Sequence, residues 1–369
     1  MARAKRILLS GYYGLSNAGD EAVLSAIIAG LRAHSDAEIT VLSASPEETA
    51  SLHDVNALPR MSPFVLKRAL RECDLLISGG GSLLQDATSF KSLAYYLLVI
   101  SLAKRYRRRI MLLGQGIGPL RRAISRRLTA KTLAGVDLIT VRDPQSAELL
   151  REIGVRSPIE VTADPTFMLD PCAAEESSRL WSDLGLGEDD DVIAVSLRGW
   201  PERDIEQHAI EALAEIVEKL PVKLLLVAMH SPGDELLAKR TADSIGSPDR
   251  VAVQPGPWTG ERLLGVIGRC RLMIGMRLHA LIFAAAAGVP SLGIEYDPKV
   301  EQFVKATGQQ GISLAETASG RLAERATGAW NKRADLASNL VEVVPAMRKA
   351  AEENIRLAVE LLGKHPGAG

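Results

Sequence analysis

Four short apolar runs in this chain stop at glycine and hand over to a segment of helical period. Residues 6–10 lead into Gly11-Tyr12-Tyr13-Gly14-Leu15-Ser16-Asn17-Ala18-Gly19-Asp20. Residues 75–78 lead into Gly79-Gly80-Gly81-Ser82-Leu83-Leu84-Gln85-Asp86, residues 110–113 into Gly114-Gln115-Gly116-Ile117-Gly118-Pro119, and residues 271–274 into Gly275. Repeated strand-to-glycine-to-helix junctions constrain the fold strongly, because parallel strands need a crossover and the crossover is usually a helix. Further strands are expected at 38–44, 137–142 and 159–169, with helices at 21–31, 90–106, 124–136 and 144–153; Asp20 reads as the N-cap of the first helix. The pattern breaks at Asp170-Pro171-Cys172-Ala173-Ala174 and restarts with strands at 192–197, 223–229, 250–253, 271–274 and 291–294 and helices at 205–220, 234–245 and 261–270. From Lys299 onward the chain reads mainly helical, and an amphipathic segment at 347–362 lies on the surface or crosses back to the first half. The expectation is an α/β protein of two doubly wound, Rossmann-like domains, 1–170 and 171–369, facing each other across a cleft.

Composition narrows the function classes. The chain has 369 residues, 47% hydrophobic and 24% charged, with a formal net charge of −1. That balance suits a globular enzyme and gives no global attraction to nucleic acid, so any basic patch is local. The run Lys104-Arg105-Tyr106-Arg107-Arg108-Arg109, with Arg121, Arg122, Arg126 and Arg127 near it in sequence, is ordinarily a solvated face; a pyrophosphate or an anionic membrane surface is the alternative. Cys73, Cys172 and Cys270 lack metal-ligand spacing and read as reduced thiols. The apolar run near the N-terminus is too short for a signal-peptide core, and residues 93–103 fall well short of the roughly 20 needed to span a bilayer. A cytoplasmic protein is expected, either free or at the inner face of the membrane.

Ligands of doubly wound sheets bind beyond the carboxyl ends of the strands. The first half places Tyr12, Tyr13, Asn17, Asp20, Ser82, Gln85, Asp86 and Gln115 there; the second places Arg198, Trp200, His230, Trp258, Arg277, His279, Glu295, Tyr296 and Lys299. Aromatic residues are only 4% of the chain, yet several stand at these ends. Aromatic faces beside Asn, Asp and Gln suit a sugar; equally, Tyr12 and Tyr13 could simply pack beside their turn. The glycine clusters match neither G-x-G-x-x-G nor a P-loop, and serve close approach of backbone to a ligand or to a helix. Met276-Arg277-Leu278-His279-Ala280 puts two basic side chains in the first turn of a helix, where free N–H groups and the helix dipole favour an anion. With Arg198 they could hold a small polyanion by its carboxylate or phosphate; His279 as a satisfied core residue is the plain alternative. Asp86, Asp164 and Asp297 read as turn and capping residues, and neither a metal motif nor a G-x-S-x-G elbow occurs.

The segments Gly14-Leu15-Ser16-Asn17-Ala18-Gly19-Asp20-Glu21-Ala22, Gly79 to Asp86, Gly114 to Pro119 and Met276 to Ala280, taken in this order, resemble the polysaccharide pyruvyl transferases, most closely the bacterial branch that pyruvylates secondary cell-wall polymers for S-layer anchoring. The resemblance runs from about Ile7 to about Lys299. It implies a fold like that of the two-domain GT-B glycosyltransferases, phosphoenolpyruvate as donor and a sugar that gains a cyclic pyruvate ketal. It puts Arg198, Arg277, Leu278 and His279 in the donor site, with His279 as general acid and Arg277 beside it in the chemistry. Asn17 and Asp20 then face the acceptor, and Tyr12, Tyr13, Gln85 and Trp200 join them by strand-end position. Which of Arg277 and His279 points at the reacting carbon stays open. No cofactor or metal is expected beyond phosphoenolpyruvate as co-substrate. The expected partners are phosphoenolpyruvate and a sugar acceptor, free or lipid-linked, with a peripheral membrane contact as an option and no nucleic acid; the oligomeric state is open. Two rivals remain: a nucleotide-sugar-dependent glycosyltransferase with Arg277 and Lys299 on a diphosphate and Glu295 on a ribose, and a non-catalytic glycan-binding homologue.

Overall fold

The computed structural model describes residues 3–200 and 203–364, with backbone alone at 203 and 204; the outermost residues of the two expected domain ranges lie outside the described residues. Two compact units emerge, the first running to Leu169 and resuming at Met347, the second running from Asp170 to Ala346.

The first unit contains β1 (Arg6–Ser10), α1 (Ala18–His34), β2 (Glu38–Ser43), α2 (Pro46–His53), β3 (Asn56–Pro59), α3 (Pro63–Glu72), β4 (Leu75–Gly79), α4 (Phe90–Arg105), β5 (Arg109–Gln115), α5 (Ala123–Leu133), β6 (Leu138–Val141), α6 (Pro144–Glu152), β7 (Ile159–Val161) and a 3-10 turn at Pro165–Met168. The sheet is seven-stranded in the order β3-β2-β1-β4-β5-β6-β7, and its pairings are parallel. Successive residues of a strand point to opposite faces, and each face has its own core. Leu8, Leu42, Leu76, Ile110, Leu112 and Ile139 meet α3, α4, α5 and α6 through Leu66, Leu70, Leu97, Ile100, Leu133 and Leu150. Ile7, Leu9, Val41, Ile77, Met111 and Leu113 meet α1 through Val23, Leu24 and Ile27.

The second unit contains α7 (Ala174–Asp183), β8 (Val192–Ser196), α8 (Arg203–Lys219), β9 (Lys223–Leu226), α9 (Gly233–Ile245), β10 (Val251–Val253), α10 (Gly260–Ile267), β11 (Leu272–Gly275), α11 (Leu278–Ala286), β12 (Ser291–Glu295), α12 (Pro298–Ala306), β13 (Gln310–Ser313), α13 (Leu314–Ala318), α14 (Leu322–Asn331) and the start of α15 (Arg333–Gly363). Its six-stranded sheet has the order β10-β9-β8-β11-β12-β13, again with parallel pairings. Both units are therefore doubly wound and Rossmann-like.

Three expectations need correction. The strand expected at 159–169 stops at Val161, because Asp164 caps a 3-10 turn at Pro165–Met168. The mainly helical reading after Lys299 misses β13, a short edge strand with Gly311 inside it, whose pairing to β12 supplies what its composition lacks. The division at 170/171 misassigns the chain's end: Ile355, Leu357, Ala358, Leu361 and Leu362 of α15 join the core of β1, β4 and β5, so this segment belongs with the first unit. Asn354 fastens it there. Fully buried, it accepts hydrogen bonds from the hydroxyls of Thr140 (2.6 Å) and Thr162 (2.8 Å) and donates to the Ala163 carbonyl (3.0 Å).

Candidate functional site

In the second unit the chain leaves β8 toward β9 on one side and leaves β11 toward β12 on the other, so the strand order reverses between β8 and β11. That is the position where such sheets hold ligands. Gly275 pairs with Ser196, and the Met276 N–H donates to the Ser196 carbonyl (2.8 Å), which carries Arg198 and Arg277 out of the sheet side by side in sequence register.

Arg198 lies among aromatic rings. Its guanidinium carbon is 5.0 Å from the Tyr296 ring centroid and 5.8 Å from that of Trp200, and the two rings meet edge to face at 5.4 Å and 74°. The Lys299 ammonium adds a second cation 5.9 Å from Tyr296 and is 3.7 Å from Asp297. Among the described residues Arg198 has no carboxylate partner, and its buried Nε has no hydrogen-bond acceptor. Ring faces stabilise such a cation without neutralising it. Trp200 stands where its strand-end position puts it, in the second unit after β8 and beside Arg198.

Arg277 is differently placed. It is the N-cap of α11, one residue before the expected first turn, and supplies no capping side chain. Its Nε and Nη2 donate to the Asp234 carboxylate at 2.9 and 2.5 Å, a fork-to-fork pair. Asp234 is almost wholly buried and also accepts from the backbone N–H groups of Met229 (3.3 Å) and His230 (3.1 Å). The pair fixes the guanidinium in one orientation and offsets its charge, leaving the Nη1 edge for a further acceptor. His279 follows in the first turn of α11, half-buried. Leu278 is buried, so only its backbone is available to a ligand and its side chain belongs to the core. Glu295 ends β12 with its carboxylate against Gly311, where an added Cβ would lie 1.8 Å from Oε1. Burial and then the nearby Glu301 push its carboxyl above the ordinary value, with Lys305 opposing.

In the first unit the order reverses between β1 and β4, and the loops after these strands are the two glycine clusters. Their glycines serve close packing. A Cβ on Gly79 would lie 2.5 Å from the Tyr13 hydroxyl, and one on Gly81 would lie 2.5 Å from an Asp20 carboxylate oxygen. Tyr13 is therefore not an acceptor contact: at 1% exposure it fills the core under these loops, and burial, with Asp20 and Glu21 nearby, raises its phenol well above the usual range. Tyr12 is half-buried against the opposite core. The N-cap of α1 is Asn17, not Asp20; the Asn17 side chain accepts from the Gly19 N–H (3.1 Å), and Asp20 lies half-buried in the first turn. Gln85 is turned onto its own loop, accepting from the N–H groups of Ala87 (2.8 Å) and Thr88 (3.0 Å) and donating to the Thr88 hydroxyl. Asp86 accepts from the N–H groups of Arg121 (2.7 Å) and Arg122 (2.9 Å), and its own N–H donates to the Pro119 carbonyl (3.0 Å). Burial opposes its charge, but these N–H groups and Ser125 prevail and hold the carboxyl below its ordinary value.

Three polar residues at these strand ends escape sequence reasoning. Asp234 is one. Arg60, 9% exposed, follows the unrecognised β3, donates to the Gly11 carbonyl and the Tyr96 hydroxyl (both 3.3 Å) and lies 4.5 Å over the Tyr95 ring. Arg142, at the end of β6, donates to Asp164 (2.8 Å) and the Ser82 hydroxyl (3.1 Å) beneath Gly116. A rule that every charged residue at a strand's end is a candidate would have found Arg142, whereas Arg60 stayed hidden with its strand.

The whole fold is that of two-domain, Rossmann-like sugar-nucleotide epimerases and glycosyltransferases. A putative UDP-N-acetylglucosamine 2-epimerase from Listeria monocytogenes superposes with a TM-score of 0.69 at 14% identity, covering 98% of this chain and 96% of that one. Anabaena Alr3699/HepE, solved with UDP and glucose, gives 0.65 at 15% identity (96% and 99%), and a Rickettsia africae glycosyltransferase gives 0.65 at 11% (98% and 100%). Sequence comparison goes further than fold: the family model for polysaccharide pyruvyl transferase matches residues 17–298, and the chain belongs to that family. The amylovoran biosynthesis protein AmsJ of Erwinia amylovora is 20% identical over 354 residues, covering 80% of this chain and 84% of its own length.

Proposed function

We propose that this protein transfers the enolpyruvyl carbons of phosphoenolpyruvate to a sugar of a cell-wall polysaccharide or its lipid-linked precursor, forming a cyclic pyruvate ketal and releasing phosphate. The observation that carries the donor assignment is Arg198, a cation without a carboxylate partner among the described residues, beside the Asp234-held Arg277 at the start of α11. A small donor with one carboxylate and one phosphate needs such a pair of unlike sites. Arg198 supplies the positive charge that no carboxylate among the described residues offsets, Arg277 supplies its remaining Nη1 edge in a fixed orientation, and the α11 start supplies backbone N–H groups.

In this reading His279 protonates the methylene carbon, C2 takes on oxocarbenium character, and one sugar hydroxyl attacks it. The C2–O bond to phosphate then breaks with Arg198 and Arg277 stabilising the departing anion, and the second hydroxyl closes the ketal. The two hydroxyl protons leave to bases on the acceptor side, where Asp20 is the candidate. The narrower assignment to the S-layer-anchoring branch belongs with this proposal and is decided by the acceptor. Against the nucleotide-sugar rival, Glu295 would have to leave Gly311 to reach a ribose.

The test is steady-state phosphate release with phosphoenolpyruvate and a panel of sugar acceptors. His279→Ala is expected to lower kcat by about 10²–10⁴-fold, the usual contribution of a general acid. Arg198→Ala is expected to act mainly on the donor KM, raising it roughly tenfold or more. Near-normal kcat in His279→Ala would remove it from the chemistry.

A further inference from the structure

Helices α3, α4 and α5 cover one face of the first unit's sheet side by side. Between Arg60 and Lys131 the sequence holds fifteen Lys and Arg against three Asp and Glu, a surplus of twelve in a chain whose net charge is −1. Of those acids Asp86 is buried, Asp74 is engaged by Arg3, and Glu72 pairs with Arg68 and Arg6. The outward stripes follow helical period: Phe64, Lys67, Arg68 and Arg71 on α3; Lys91, Ala94, Leu98, Ser101 and Arg105 on α4; Ile124, Arg127, Leu128 and Lys131 on α5. Among the described residues Lys67, Lys91, Arg105, Arg127 and Lys131 make no hydrogen bond or ion pair through their side chains. Five large apolar side chains stand exposed among these cations: Met61 at 73%, Phe64 at 76%, Leu98 at 53%, Ile124 at 52% and Leu128 at 36%. Acids return on the flanking α6, with Glu148 and Glu152, the latter paired with Arg126 of α5.

We propose that the α3–α4–α5 face docks on an anionic lipid bilayer. Lys and Arg meet lipid phosphates while the apolar tips enter below the headgroups; a nucleic-acid backbone would use the cations alone, and the five exposed apolar side chains favour a bilayer. No helix among the described residues is long and apolar enough to cross a membrane, so the contact is peripheral. Met61, Phe64, Lys91 and Ile124 lie at or near the starts of their helices, the same sheet edge as the glycine loops, so docking would hold that edge close to the lipid surface. Charge and exposure carry this inference without the donor chemistry, and it stands if pyruvyl transfer fails.

Flotation of the full chain with vesicles of phosphatidylcholine alone, or with phosphatidylglycerol added, tests it. Binding is expected only with phosphatidylglycerol and is expected to weaken at about 0.5 M salt, where screening is strong. The triple variant Lys67→Glu/Lys91→Glu/Arg127→Glu is expected to lower partitioning roughly tenfold or more, whereas Lys239→Glu/Lys332→Glu in the second unit leaves it unchanged. Phe64→Ser/Leu98→Ser is expected to abolish the salt-resistant remainder. Equal binding to both vesicle types, no binding to either, unchanged binding by the triple variant, or binding to duplex DNA in place of vesicles would overturn it.

Discussion

Asp234 changes what Arg277 can do. A strand-end arginine read from sequence is a free cation, but here a buried carboxylate holds it in one orientation, and the positive charge open to a ligand comes from Arg198. The motif that carries Arg277 and His279 was legible because it is local; Asp234 was not, because its partner is 43 residues away and only the parallel register brings them together. Tyr13 failed as an acceptor residue for the converse reason: a strand-end aromatic can turn inward, and the glycines around it are what permit that. Asp86 gives a test at this scale. Its folded pKa lies below its ordinary 3.8, so its stabilisation is fully present above that pH and is lost as pH falls through the lowered value. Asp86→Ala should lower stability by about 2 kcal/mol at neutral pH. In urea melts the gap to the unchanged protein should hold down to pH 3.8 and narrow below it; a pH-independent gap would assign the loss to packing alone.

Among the elements, the strand-glycine-helix units were the most legible, since each states its period and its stop within a dozen or so residues. Elements of low intrinsic preference were missed: β3 ends in proline, β13 contains glycine, and α2 and α3 start from prolines in a stretch without strong periodicity. Tertiary pairing decides such segments. The last helix was half legible: its amphipathic face and a return to the first half as one of two placements were readable, and the core it enters decides between them. Asn354→Leu should remove the donor to Ala163 and the acceptor for two threonine hydroxyls, costing about 2–3 kcal/mol. All four tryptophans, Trp181, Trp200, Trp258 and Trp330, lie in the second unit. Loss of far-ultraviolet circular dichroism should therefore begin at lower urea than the tryptophan fluorescence transition in this variant. Coincident, unshifted transitions would mean that Asn354 does not fasten the first unit.

At the scale of the molecule, two doubly wound sheets each present a reversal point with a different chemistry: cations, rings and a helix start in one, tightly packed glycine loops with buried arginines in the other. Family membership supports polysaccharide pyruvylation as the activity, while the neighbours in fold serve nucleotide-sugar chemistry in their own right. Label transfer separates these directly. The protein is incubated with phosphoenolpyruvate carrying isotope in its carboxylate carbon, and with a sugar acceptor. The isotope should enter the acceptor as an acid-labile ketal with one phosphate released per ketal formed, without any nucleotide sugar. An acceptor that stays unlabelled across the panel, while a nucleotide sugar is consumed and its nucleotide released, would contradict the account.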